Sequence, residues 1–335
     1  METNRILIGT AERIFADHCD KGALDRAEKG EFPRALAGVV EENGLALVAT
    51  AEMDGTLADA FALLRVAGRH AVPLPLAETI VAHHLCGLAR CSVAGGPLTL
   101  AIADAAGGEG GEVNVKLRAV PWARACERVC YVIGDPVEVV ILDVDACDVE
   151  HDTNIAGEPR DSVTFVGVPA RCGTVPYSVD RVFELMALTR CALMSGALER
   201  ILELSVRYAE EREQFGRPIG KFQAVQHQLA VLAGEVAAAL RATDAAVAML
   251  SSTRFDVAVA AAKARVGEAA GIGAEIAHQV HGAMGYTHEH TLHHYTRRLL
   301  AWRDEFGRET YWQQRIGRRA ASLGADRTWE FLVGS

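Results

Sequence analysis

The hydrophobic pattern of this chain changes period twice, which fixes the order in which different kinds of structure can form. From residue 1 to about 90, apolar residues recur at helical spacing: Leu7, Ala11, Ile14 and Phe15, then Leu36, Val39 and Val40, then Phe61, Leu63, Leu64 and Val66. Turn signals at Glu42-Asn43-Gly44 and Asp54-Gly55 separate them. Pro73 and Pro75 forbid a continuous helix through AGRHAVPLPLAETI and predict an extended crossing before a helix that begins near Ala77. From Cys91 to about Ala170 the pattern becomes short Val, Ile and Leu runs between glycine and acidic turns, among them LTLAIAD, CYVIGDPVEVVILDV and DSVTFVGVPA. After Pro176 the helical period returns over 180–212, 221–250, 256–284 and 288–320. The expected fold class is α+β: an N-terminal helical domain over 1–90, a middle β-domain over 91–175, and a C-terminal antiparallel four-helix bundle over 176–335.

A chain of 335 residues, 50% hydrophobic and 23% charged, has enough apolar material for two or three domains with real cores. The formal net charge of −10 argues against a general nucleic-acid or anionic-membrane surface, either of which needs a basic excess. No run of eighteen apolar residues occurs, and METNRILIGTAERIF has neither a basic region followed by an apolar stretch nor a small-residue cleavage site. The expected location is cytoplasmic. In that compartment thiols stay reduced, so the eight scattered cysteines read as small buried apolar residues. Cys126 and Cys130 in WARACERVC have no second ligand pair nearby, which argues against zinc. Glycines 107, 108, 110 and 111 read as a β-turn because no helix signal follows them, and the β-runs do not alternate with helices as a Rossmann fold requires.

Two segments of the helical half carry chemistry. In RYAEEREQFGRPIGKFQAVQHQLA, residues 207–230, a helix is expected to end near Gln214, Phe215-Gly216 to turn the chain, and a second helix to begin near Phe222. In AHQVHGAMGYTHEHTLHHYTRRLLAW, residues 277–302, a helix carrying Gln279 stops at Gly282, and the small residues there let backbone approach a ligand closely. His290 and His294 fall at i, i+4, the spacing of one helical face, but HEHTLHH lacks the order of a zinc-protease helix. No metal is expected.

Together these segments resemble the acyl-CoA dehydrogenase family, and the likeness extends from about Val182 to Gly317. Arg212, two residues and Phe215-Gly216, with Phe222-Gln223 opening the next helix, match one family motif. Gln279, Gly282, Gly285 and Tyr286 match a second, in which Ala283 replaces a glycine. The resemblance implies that Arg212, Gln214 and Phe215 reach across an interface to the pyrophosphate and ring region of an FAD on a neighbouring subunit, and that Gln279, Gly282 and Ala283 meet its adenosine and phosphate end. An arginine suits phosphate because its planar fork donates two parallel hydrogen bonds. It further implies an acyl-CoA substrate of fatty-acid or steroid side-chain type, an electron-transfer acceptor, and a homo- or hetero-oligomer, dimer or tetramer.

The reaction of this family needs a carboxylate base beside the flavin to remove the proton next to the thioester. Counting from Gln279 places Phe306 at the usual base position, with Glu305 beside it as the candidate catalytic residue. The alternative base position, on the first bundle helix, falls at Met186, near Glu184, and the family's CoA-pocket arginine falls at Ala187, with Arg190 the nearest cation. The β-domain lacks the family's Thr-Glu-Pro and Trp-Ile-Thr strings and reads as shortened. Three readings stay open: an active dehydrogenase with Glu305 as a displaced base, a subunit that completes a flavin site on a catalytic partner, and a scaffold or regulatory protein that keeps the fold without flavin. A metal-dependent hydrolase built on the histidines is a fourth.

Overall fold

Proline and glycine punctuate the helical first stretch as the sequence predicts. The computed structural model describes residues 2–53, 55–91, 93, 96–107 and 112–333. Helices α1 (Glu2–His18), α2 (Lys21–Ala27), α3 (Arg34–Glu42), α4 (Leu57–Arg69) and α5 (Leu76–Leu88) come first, with a 3-10 turn at Leu45–Leu47. Thr56 and Asp59 form a capping box at the start of α4, and Pro75 is the N-cap of α5. The turn expected at Asp54-Gly55 lies partly outside the described residues, because Asp54 does.

Eight strands follow: β1 (Leu98–Ile102), β2 (Ala106–Gly107), β3 (Glu112–Pro121), β4 (Arg128–Ile133), β5 (Val137–Asp143), β6 (Cys147–Glu150), β7 (Arg160–Pro169) and β8 (Arg171–Val175). They form two four-stranded sheets, ordered β1-β4-β5-β8 and β2-β3-β7-β6. Only the β1–β4 pair is parallel among these strands. Alternate residues point inward, so Val129 and Tyr131 of β4, Val140 and Leu142 of β5, and Val163 and Phe165 of β7 make one core. Gly107 pairs with Asn114, as a β2–β3 hairpin requires, while the turn expected at glycines 108, 110 and 111 lies outside the described residues.

The chain divides into two units, Met1–Thr189 and Arg190–Ser335, and the division falls within the long helix α6 (Val179–Glu211). The second unit continues through a two-residue hairpin, β9 (Glu213–Gln214) with β10 (Arg217–Pro218), to α7 (Gln223–Ala248) and α8 (Phe255–His281). A 3-10 turn, Gly282–Tyr286, then leads to α9 (Leu292–Asp304), α10 (Glu309–Leu323) and α11 (Ala325–Val333). The single helix expected over 288–320 is therefore two helices. Phe306 and Gly307 take positive φ, 54° and 87°, and break it.

Three pairings fix the register of this unit. Ser195 and Thr243 share a buried hydrogen bond of 2.9 Å between α6 and α7. A Cβ added at Gly273 of α8 would lie 2.8 Å from Leu198 Cδ2, 3.3 Å from Ile201 Cδ1 and 3.4 Å from Leu232 Cδ1, so α6, α7 and α8 meet where only hydrogen fits. Farther on, Tyr208 of α6 stacks on His281 of α8 at 4.5 Å. The advance from Leu198–Ile201 against Gly273 to Tyr208 against His281 means that α6 and α8 run parallel, with α7 antiparallel to both. Gly273→Val is expected to lower stability by about 1–3 kcal/mol through overpacking, seen as a lower urea midpoint at unchanged slope; an unchanged midpoint would mean that the three helices do not meet there.

Candidate functional site

At the far end of α6 the chain builds a stiff arm. Phe215 and Gly216, φ 54° and 77°, form a two-residue turn of the primed type, the form that joins two strands directly. The Ile219 N–H donates to the Arg212 carbonyl at 2.8 Å, and Gln226 Nε2 donates to the Gly220 carbonyl at 2.9 Å. Phe222 anchors the base of the arm, edge-on to Phe215 at 6.2 Å and beneath the Arg217 guanidinium at 4.3 Å. Its tip is open: Phe215 is 92% exposed, and Arg212 and Gln214 are exposed as well. The turn holds a large ring out in solvent, in a backbone conformation that a bulky residue seldom adopts.

The Gln279 segment lies at the same end. Helix α8 stops at Gly282, whose φ of 57° and ψ of −140° are glycine territory, and a Cβ there would meet nothing within 4 Å. Gln279, Gly282 and Ala283 are exposed, and Ala283 takes an ordinary φ, so the alanine in place of glycine causes no backbone strain. Beneath this surface His281 Nδ1 donates to the Ala277 carbonyl at 2.7 Å, and burial pushes its imidazole down to about 4, so the ring is neutral at physiological pH. His290 meets the His281 ring at 4.7 Å. His290 does not share the helix of His294, as the i, i+4 spacing suggests, because α9 begins at Leu292 and His290 precedes it. Residues present thus fit a dinucleotide: a free guanidinium and an exposed amide for phosphate, a bare aromatic ring for packing, and open glycine backbone for close approach.

The opposite end of the bundle carries the base loop. Glu305 ends α9, and one carboxylate oxygen accepts a 2.6 Å hydrogen bond from Arg190 Nε of α6. The Arg190 side chain is only 2% exposed and also lies over the Phe306 ring at 5.0 Å. Arg190, the cation nearest the expected CoA-pocket position, is therefore committed to Glu305 and Phe306. Met186, Ala187 and Glu184 are buried in the first unit.

Sequence reasoning missed the groups that hold this loop. Lys263 of α8, 1% exposed, donates to the carbonyls of Arg303 at 2.7 Å and Gly307 at 2.8 Å, placing an ammonium at the C-terminus of α9. Trp312 Nε1 donates to the carbonyls of Phe306 at 3.0 Å and Gly307 at 3.1 Å, and Arg303 pairs with buried Glu309. Lone Lys263 amid the small residues of VAVAAAKARVGEAAG was the available signal. The cysteines also need correction. Cys86, Cys126, Cys130 and Cys191 are buried, but Cys19, Cys91 and Cys147 are half-buried, and the Cys172 side chain lies outside the description.

Burial pushes the Lys263 ammonium down from 10.5 to about 8; Arg190 acts the same way, while Cys191, Glu305 and Glu309 oppose it. Between those two values the unfolded chain binds more protons than the folded one, so stability rises with pH across this window and falls away as pH drops through about 8. Against Lys263→Met, which cannot titrate, the melting temperature of the wild type should gain from about pH 7.5 to about pH 10. A gap independent of pH would mean that Lys263 is not desolvated.

Residues 177–321 match the acyl-CoA dehydrogenase C-terminal domain family. The chain is 32% identical over 282 residues to acyl-CoA dehydrogenase FadE34 of Mycobacterium tuberculosis, covering 78% of this chain and 38% of that protein. It is 29% identical over 308 residues to acyl-CoA dehydrogenase IpdE2 of the same organism, covering 89% and 91%. The chain thus spans under half of FadE34 and nearly all of IpdE2. Its fold is similar to that of a Tcur3481–Tcur3483 steroid ACAD variant, with a TM-score of 0.86 at 25% identity over 96% of this chain and 98% of that one. The ChsE4–ChsE5 complex from Mycobacterium tuberculosis gives a TM-score of 0.86 at 23% identity, over 97% and 99%, a likeness of fold. Among the described residues no helix is long and apolar enough to cross a membrane.

Proposed function

Because this chain belongs to the acyl-CoA dehydrogenase family, we propose that it is a subunit of an FAD-dependent oxidoreductase that dehydrogenates an acyl-CoA thioester, and that it completes an FAD site on a neighbouring chain. The observation that carries this reading is the distance between the two ends of its bundle. Tyr208, where the arm begins, follows Arg190 along one unbroken helix; at 1.5 Å per residue they stand roughly 27 Å apart. An arm that far from its own base loop serves a flavin held elsewhere.

In this reading Arg212 binds the pyrophosphate, Gln214 and Phe215 pack beside the ring region, and Gln279, Gly282 and Ala283 receive the adenosine end. Bound FAD supplies the hydride acceptor. Glu305 acts as the counter-ion of Arg190, Phe306 fills the place of the base, and a catalytic partner subunit supplies both the base and the contacts to the flavin ring. Two structural neighbours, the Tcur3481–Tcur3483 steroid ACAD variant and the ChsE4–ChsE5 complex, support a hetero-oligomer, and the steroid ACAD supports a bulky acyl group. An electron-transfer acceptor completes the set of partners.

Arg212→Ala should lower the flavin bound by the assembly about tenfold or more, the loss of one charge-assisted phosphate contact; unchanged flavin content removes Arg212 from the site. Glu305→Gln keeps an acceptor for Arg190, so the assembly should retain its turnover. A loss of about 10²–10⁴-fold, the usual contribution of a general base, would instead make Glu305 the base. An assembly that never holds flavin would favour the scaffold.

A further inference from the structure

Within the first unit, α3, the Leu45–Leu47 turn, α5 and the residues Gly96 and Pro97 ahead of β1 line a cavity of about 530 Å³. That lies inside the roughly 300–1,000 Å³ range of sites for small organic ligands. Phe32, Val40, Leu47 and Leu76 make much of the wall apolar. The polar side chains on the lining include His83 of α5, Glu41 of α3 and Glu52 after the 3-10 turn, while Thr50 and Thr79 are spent on the Leu47 and Leu98 carbonyls.

These groups are not equivalent. Glu41 and Glu52 are exposed, and Glu41 Oε1 already accepts a 3.1 Å hydrogen bond from the Gly96 N–H. His83 is half-buried and has no hydrogen-bond partner among the described residues. Burial pushes its imidazole below the ordinary value, with Glu52 and Glu41 opposing. A neutral imidazole offers one donor and one acceptor. Two carboxylates at the mouth set a negative field over the entrance, which disfavours anions.

We propose that this cavity binds an uncharged, largely apolar molecule bearing a hydroxyl group, with His83 meeting the hydroxyl and Glu41 and Glu52 turning away anionic head groups. A hydroxyl donates and accepts, which matches the two capacities of the ring, while the remainder of the molecule takes the apolar wall. A rigid polycyclic alcohol is the probe of choice, since it loses few rotatable bonds on binding. A free carboxylate or a CoA thioester brings charge of the wrong sign. The site is independent of the flavin assignment, so either can fail alone.

Isothermal titration of the full chain with a 3-hydroxysteroid, with the parent steroid lacking the hydroxyl, and with a steroid carboxylate tests the proposal. The alcohol should bind saturably at one site, with the other two weaker by about three- to tenfold, the worth of one hydrogen bond. His83→Leu should remove the preference for the alcohol over the parent steroid. No saturable binding to the wild type, carboxylate bound as tightly as alcohol, or a preference that survives His83→Leu would overturn the proposal.

Discussion

The parallel register of α6 and α8 is the constraint on which the second unit depends. It is set where Gly273 lets Leu198, Ile201 and Leu232 close on the α8 backbone, and it assigns every chemical group of this unit to one end or the other. Arg190, Lys263, Glu305 and Phe306 gather at one end, and Tyr208, Arg212, His281 and Gly282 at the other. Helices are stiff rods, so these ends cannot be brought together by side-chain motion. A flavin site that needs both kinds of end must take them from two chains.

The ends also differ in how they treat polar groups. At the base loop the groups are tied inward: Lys263 and Trp312 share the Gly307 carbonyl, and Arg190 lies between a carboxylate and an aromatic ring. A buried charge network persists only when its members are paired, and breaking one member leaves the others exposed to the full desolvation penalty. The arm is the reverse. Its backbone is fixed by Ile219, Gly220 and Phe222, while Arg212 and Phe215 are left in solvent. One end is tied within the chain, and the other is left exposed.

Local signals in the sequence foretold the features that are themselves local. Phe215-Gly216, the stop at Gly282, and the break at Pro73 and Pro75 each follow from φ preferences of one or two residues. The break at Phe306 was hidden from periodicity because one glycine inside a helical pattern costs only about 1 kcal/mol. What decides it is Lys263, more than forty residues away, together with Trp312. His290 misled for a related reason: spacing alone placed it on a helix that starts two residues later. The Arg190–Glu305 pair, spanning 115 positions, left no trace in any window of sequence.

The flavin content of the purified chain, taken alone and after assembly with the proposed catalytic partner, tests most directly the proposal that unlike chains share the flavin site. Visible absorbance against protein concentration should show no stoichiometric FAD on the chain alone, and one FAD for each pair of unlike chains in the assembly. One FAD for every copy of this chain in a homo-oligomer would contradict that sharing, because two copies of one sequence would then supply both ends of the site.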